Sequence, residues 1–351
     1  MFISFKQRLM MSLILLIVSI SAACSNIDEQ ASYDAEEIQL LSDDVYVGFV
    51  IDTLKEERWY NDKEIFEEEV KQIGGRVKTL AANGNDDVQI KQAELLIEEG
   101  VDVLVVVPHD AEISAKIVEL AHAANVKVIS YDRLIRNANV DYYLSFDNEQ
   151  VGKLQAEEIL KHVNEGNFAY VGGAESDNNA HLFRQGAMSV LQPYIDSGEI
   201  RLVFDEFTEG WNPSVAQENM EKALIELNNE VDAVIAANDG TAGGVITALT
   251  NAGLQGIPVS GQDAELSGVK RIVEGTQTMT VYKSIETLAK RAAELAVQVA
   301  KNNEIETNDT IHNGMSDVPS ILLEPISVTR SNIQDTVIKD GYLTESEIYN
   351  E

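Results

Sequence analysis

Polar side chains gather at the ends of apolar runs in this chain, and those positions carry most of its capacity for chemistry. Asp52 follows VYVGFVI, Tyr131-Asp132-Arg133 follows VKVIS, Asn238-Asp239 follows VDAVIAA, and Gln262-Asp263 follows VSG. Carboxylates, guanidinium and carboxamides of this kind make directional, partly charge-assisted hydrogen bonds. The two tryptophans, Trp59 and Trp211, add flat apolar faces. A hydrogen-bonding rim with aromatic faces suits a small polar ligand that also has apolar C–H surfaces. No metal-protease, nucleophile-elbow, phosphate-loop or dinucleotide glycine motif occurs. The histidines at 109, 122, 162, 181 and 312 have no metal-ligand spacing. His109 follows an apolar run and is a possible ligand contact. The expectation is therefore binding without catalysis, with no cofactor and no metal.

The elements that would hold these residues alternate. Strands are predicted at 45–51, 76–81, 101–107, 126–130 and 142–146, with helices at 62–73, 86–99 and 111–124 between them. The run VDVLVVV reads as a strand buried on both faces. The pattern restarts with helices at 150–162, 180–191, 214–227, 241–252 and 266–274. Between them lie strands at 168–171, 200–204, 233–236, 259–261 and 278–282, and a long helix spans 283–301. This alternation predicts an α/β protein of two similar, doubly wound parallel-sheet domains. Ligands bind beyond the carboxyl ends of such strands, where the polar residues fall, so two facing domains make one cleft.

The chain has 351 residues, 26 basic against 59 acidic, and a formal charge of −33. That length suits two domains. The charge argues against nucleic acid as a partner, since binding phosphates needs clustered Lys and Arg. The first 23 residues hold two basic side chains, Lys6 and Arg8, then the apolar run Leu9–Ile20 and the small residues Ser21-Ala22-Ala23. This is a secretory signal pattern, too short to span a membrane. The only cysteine, Cys24, follows at once, which excludes an internal disulfide. Its placement resembles a bacterial lipoprotein signal, which implies lipidation of Cys24 and anchoring at the extracytoplasmic face of the cell membrane. Ser21 stands where such signals carry Leu, Val or Ile, and an ordinary secreted protein is the alternative. After cleavage the chain has 24 basic and 59 acidic residues, a charge of −35. Residues 24–44 read as an acidic tether.

Taken in order, several segments resemble the sugar-binding proteins of ABC importers, in the ribose/galactose group and its D-xylose-binding branch. They include ERW at 57–59, ANGN at 82–85, GVDVLVVVP at 100–108, YDR at 131–133 and SFDNE at 145–149. Further on come DNNAHLFRQG at 177–186, NDGTAGG at 238–244, GQDAELSGVKRI at 261–272, GTQTMTVYK at 275–283 and DTVIKDG at 335–341. The resemblance implies the type I periplasmic-binding-protein fold, with two lobes joined by a three-strand hinge. One lobe is expected from 45–147 plus 284–325, the other from 148–283 plus 326–351. It also implies a monomer that closes on a monosaccharide, D-xylose above all, and delivers it to an ABC permease. Presentation of the sugar to a membrane histidine kinase or chemoreceptor is the alternative.

By the same resemblance, Asp132 accepts from two sugar hydroxyls and Arg133 donates to sugar oxygens, unless the two are a structural pair. Arg58 and Trp59 serve from the loop after the first strand, with a surface salt bridge and core packing as their other readings. Trp211 is set opposite Trp59 to sandwich the ring. Asn179, Asn238, Asp263 and Lys283 complete the set. Asn178 or Asn179, and Asn238 or Asp239, could instead cap helices. Two departures stand out: Ser284 follows the lysine where relatives often have proline, and Gly240 stands where they often have alanine.

Overall fold

The computed structural model describes residues 45–55 and 57–349. The signal segment, Cys24 and the whole of the tether lie outside them. The first sheet has seven strands: β1 (Tyr46–Ile51), β2 (Arg76–Ala81), β3 (Val103–Val106), β4 (Lys127–Tyr131), β5 (Tyr142–Phe146), β10 (Asp309–His312) and β11 (Asp317–Leu323). Their order is β10-β11-β5-β4-β3-β1-β2, parallel except for the β10–β11 hairpin. Strands β1 and β3 are wholly buried. That explains their unbroken β-branched runs, since helices cover both faces of a parallel sheet.

The second layer is built from β6 (Gly166–Val171), β7 (Ile200–Glu206) and β8 (Ala233–Ala236), ordered β7-β6-β8, and from the antiparallel pair β9 (Met279–Tyr282) and β12 (Ile326–Thr329). The predicted strand at 259–261 is reduced to one bridge between Val259 and Val234. Pro258 has no N–H to give a longer ladder. The segment still sews the two pieces together: Ser260 N–H donates to Val234 O at 3.2 Å, and Thr278 N–H to Val259 O at 2.9 Å. The chain passes between the sheets after Phe146, after Tyr282 and between Leu323 and Ile326.

Several helix boundaries differ from the sequence reading, the helix predicted at 180–191 running over Asn178–Ser197, and three more are informative. The first helix, α1 (Glu57–Gln72), begins before residue 62. Its inner face is Trp59, Asp62, Phe66 and Val70, each at most 1% exposed. The buried Asp62 interrupts the apolar period and hid the first turn. Trp59 therefore sits on a helix and not in the loop after β1. The helix predicted from 111 starts at Ala115, because Asp110 Oδ1 accepts from the N–H groups of Glu112 and Ile113, both at 2.8 Å, in an Asx turn. The long helix starts at Ile285, with Ser284 as its N-cap, which leaves Lys283 in the crossing. Strands β10 and β11 were not anticipated: β10 (DTIH) is a mostly exposed edge without apolar alternation, and Pro319-Ser320 interrupt the apolar run of β11.

Helix Asn148–Leu160 packs against helix Asn178–Ser197 at very close range. A Cβ on Gly152 would lie 1.9 Å from the carbonyl oxygen of Phe183. Only glycine permits that backbone-to-backbone approach. We expect Gly152→Ala to cost about 1–3 kcal/mol, the range for overpacking. Thermal unfolding followed by circular dichroism will show it as a lowered midpoint, and an unchanged midpoint contradicts this packing.

Candidate functional site

The site starts from a buried cation. Arg58, in the first turn of α1, is 4% exposed. Its NH2 group lies 3.0 Å from Asp132 Oδ2, its NH1 group 3.3 Å from Asp263 Oδ1 and its Nε 3.4 Å from Asp62 Oδ2. Asp62 is four residues on, so the helix itself sets that pair. The Tyr131 hydroxyl donates to the other Asp62 oxygen. The guanidinium also lies 4.3 Å above the Trp59 ring, a cation–π contact. Burial favours the neutral form of Arg58, but Asp132, Asp62 and Asp263 outweigh it and raise its pKa well above the ordinary range.

Asp132 answers this cation from the end of β4. Its φ of +58° puts it in the left-handed region, which a non-glycine residue enters only when its surroundings impose it. Here they do. Its N–H donates to Leu144 O at 2.8 Å. Its carbonyl accepts from Ser145 Oγ at 2.6 Å, Tyr143 OH at 3.1 Å and Asn179 Nδ2 at 3.1 Å. Lys283 Nζ lies 3.6 Å from its carboxylate and 3.5 Å from that of Asp263. Burial raises the Asp132 carboxyl, but Arg58, Lys283 and Arg133 together overcome it and hold the pKa down at about 2.

Arg133 runs a second chain of pairs. Its NH1 lies 2.8 Å from Asp52 Oδ2 and its Nε 2.8 Å from Asp177 Oδ2. Asp177 caps helix Asn178–Ser197 by accepting from Asn179 N–H at 2.9 Å, so neither Asn178 nor Asn179 is that cap. Asp177 also accepts from Trp211 Nε1 at 3.1 Å. The Trp211 indole lies directly over Gly173, where a Cβ would sit 2.0 Å from the ring. Burial raises the Asp177 carboxyl, with Arg133 opposing.

The carboxamides are fixed more simply. Asn179 Nδ2 donates to Asp132 Oδ1 at 3.2 Å, and its Oδ1 accepts from Asn148 Nδ2 at 3.1 Å. Asn238 is the N-cap of helix Asp239–Asn251, its Oδ1 accepting from Thr241 N–H at 2.8 Å. Its Nδ2 makes no hydrogen bond among the described residues. Asp263 has φ +89°. Its loop is held by Asp239, whose N–H donates to Gln262 O at 2.9 Å and whose carboxylate accepts from Glu265 N–H and Thr280 Oγ1, both at 2.9 Å.

All nine residues picked from the sequence surround one cavity. Arg58, Trp59, Asp132 and Arg133 reach it from the first sheet, Asn179, Trp211, Asn238 and Asp263 from the second, and Lys283 from the crossing. Sequence reasoning missed Asp177, Phe183 and Gln262, which also line it. Asp177 was detectable as an acidic residue just before a helix, and Gln262 as the neighbour of Asp263. Phe183 gave no signal beyond an apolar helix face. Trp59 Nε1 and Gln262 Oε1 are buried without a hydrogen-bond partner, a donor and an acceptor left over beside the cavity. The lining holds Asp132, Asp177 and Asp263 against Arg58, Arg133 and Lys283, so it is formally neutral inside a strongly acidic protein. No cluster of three or more metal-ligating side chains occurs among the described residues.

Several known proteins similar to this chain are described as sugar-binding. A family profile described as "Periplasmic binding protein domain" matches residues 47–304. The D-xylose-binding periplasmic protein of Escherichia coli is 49% identical over 306 residues, covering 87% of this chain and 93% of that one. That of Haemophilus influenzae is 49% identical over 310 residues, covering 88% and 93%. Among solved structures, a carbohydrate transporter solute binding protein from Chloroflexus aurantiacus, in complex with D-glucose, superposes with a TM-score of 0.81. It is 35% identical and covers 86% of this chain and 97% of that one.

Two outcomes follow from these contacts and from the lowered Asp132 pKa. Asp132 is more acidic in the folded chain than in the unfolded one. Its contribution to stability is therefore present above pH ~4 and lost as pH falls towards about 2, a change of about 2 kcal/mol. Asp132→Asn should be less stable than the parent at pH 6, with the gap narrowing by about that amount near pH 2. Urea unfolding followed by fluorescence measures the gap, and a constant gap contradicts the assignment. Gly173→Ala should displace the Trp211 indole and change the emission of that tryptophan in a Trp59→Phe background.

Proposed function

This chain belongs to the periplasmic binding protein family, whose members bind solutes and are not enzymes, and on that premise we propose that it captures D-xylose outside the cytoplasm and delivers it to an ABC permease. The observation that carries the reading is the neutral, ion-paired lining. A charged ligand would leave one of its buried charges uncompensated, which is costly. A sugar brings hydroxyls that both donate and accept, so it can enter between existing ion pairs without unpairing them. The separations of 3.3 Å between Arg58 and Asp263 and of 3.5–3.6 Å between Lys283 and the Asp263 and Asp132 carboxylates exceed the ~2.8 Å of a tight charge-assisted bond. They leave each carboxylate able to accept from a hydroxyl.

In this reading Asp132 and Asp263 accept sugar hydroxyls from opposite sides of the cleft. Arg58, Arg133 and Lys283 donate, and Asn179, Asn238 and Gln262 add amide contacts. Trp59 and Trp211 cover the C–H faces. The lobes are 45–147 plus 284–325 and 148–283 plus 326–351, hinged at the three crossings, and the sugar favours the closed state because it bonds to both. The names of the curated relatives at 49% identity favour xylose over glucose. The segment before the fold supports export, with residues 1–23 as signal peptide, Cys24 as lipid anchor and 24–44 as tether. A diacylated cysteine holds a protein stably at a membrane.

Calorimetric titration of residues 25–351 with D-xylose, D-glucose, L-arabinose and D-ribose tests the function. We expect D-xylose to bind most tightly, and Asp132→Asn to weaken it by about tenfold or more, as the loss of a hydrogen bond to a charged group does. No heat or fluorescence change with any of the four sinks the proposal. The anchor is tested by cell fractionation: the full chain should sediment with membranes, and Cys24→Ser should release it to the medium.

A further inference from the structure

The segment DTVIKDG at 335–341 is remote in sequence from every residue of the cavity, yet the structure ties it to the second crossing. Asp340 accepts a hydrogen bond from the Tyr282 hydroxyl and another from Ser284 Oγ at 3.3 Å, both on Oδ2. Tyr282 is the last residue of β9, and Ser284 caps the helix Ile285–Ala300, accepting from Thr287 N–H at 3.3 Å. One exposed carboxylate thus grips both neighbours of the buried Lys283. Two residues on, Tyr342 packs its ring 5.2 Å from that of Tyr282 and donates to the Asp263 carbonyl at 3.5 Å. Ile333, Val337 and Leu343 sink into the same small core as Tyr282 and Val328, which fixes the segment to the second sheet.

We propose that Asp340 is a positioning residue for sugar binding, a latch that holds the Tyr282-Lys283-Ser284 crossing and so aims Lys283 at Asp132 and Asp263. Lys283 has a flexible four-carbon stem, and its ammonium is useful only where its backbone is fixed. Ser284 has φ −62° and ψ 99°, a backbone that proline would impose covalently. Its N–H donates no hydrogen bond among the described residues. The carboxylate latch therefore does with hydrogen bonds what a proline at 284 would do with a ring. This gives a test that a merely stabilising Asp340 would not pass.

The effect on affinity rests on the sugar-binding reading, whereas the latch itself does not, and the two are measured separately. In the ligand-free protein, Asp340→Ala should speed hydrogen–deuterium exchange in the peptide spanning residues 282–288 and leave β1 and β3 unchanged. Unchanged exchange at the crossing overturns the latch. In calorimetry, Asp340→Ala and Tyr282→Phe should each weaken D-xylose binding about five- to tenfold, chiefly through faster dissociation in stopped-flow fluorescence. Adding Ser284→Pro to Asp340→Ala should recover most of that loss. Faster exchange with unchanged affinity, or no recovery with proline, overturns the positioning role. A parent protein that binds no sugar overturns the sugar-binding reading, while the exchange result still decides the latch.

Discussion

The site depends on burying Arg58. A guanidinium that is 4% exposed cannot shed its proton, so it must be matched by carboxylates or the structure does not form. Three supply the match, and they come from three different places: Asp62 from its own helix, Asp132 from β4 and Asp263 from the second sheet. Arg58 is therefore not only a donor into the cavity. It couples the two halves of the chain electrostatically, together with Lys283, shared between the same two carboxylates, and Arg133, paired with Asp177.

That coupling explains the backbone strain. Asp132, Trp211 and Asp263 all have positive φ, at +58°, +56° and +89°, and each such residue costs about 1–3 kcal/mol. The cost is offset locally. Asp132 has three donors on its carbonyl. The Asp263 loop is tied to Asp239, which links the start of helix Asp239–Asn251 to Thr280 on β9. Trp211 rests on Gly173, which has no side chain to oppose it. A left-handed residue at the end of a strand turns its side chain out of the sheet's alternation. Apart from six asparagines and Ala264, Asp132, Trp211 and Asp263 are the non-glycine residues with positive φ among the described residues, and all three line the cavity.

These features were legible in the sequence to different degrees. The strand ends carried their own signal, because an apolar run that stops at Asp-Arg or Asn-Asp has only a few places to put those groups. Hence Asp132, Arg133, Asn238 and Asp263 could be named before any geometry. Asp62 could not, because a carboxylate on the inner face of a helix looks like a break in the apolar period, and that error moved Trp59 from helix to loop. Asn238 was read as either ligand contact or cap. It uses its carbonyl as the cap and keeps its amide beside the cavity, two roles that sequence sees as alternatives. The hairpin β10–β11 and the grip of Asp340 on the crossing depend on contacts between distant segments, and no local pattern encodes them.

The neutral lining also bears on discrimination. A hydrophobic pocket separates ligands that differ by one methylene by about 10–200-fold. A site built from buried polar groups can reject a ligand lacking one hydroxyl by ~10⁴ or more, because the unanswered group stays buried. This cavity belongs to the second kind. On the sugar-binding reading, Asp263, which holds Arg58 and Lys283 only at 3.3 and 3.5 Å, takes a hydroxyl to complete its coordination. Missing hydroxyls are therefore penalised strongly and additional apolar bulk only weakly. On the sugar-binding reading, exclusion of a larger sugar must come from shape instead, from how closely Phe183 and the two tryptophans approach across the cavity.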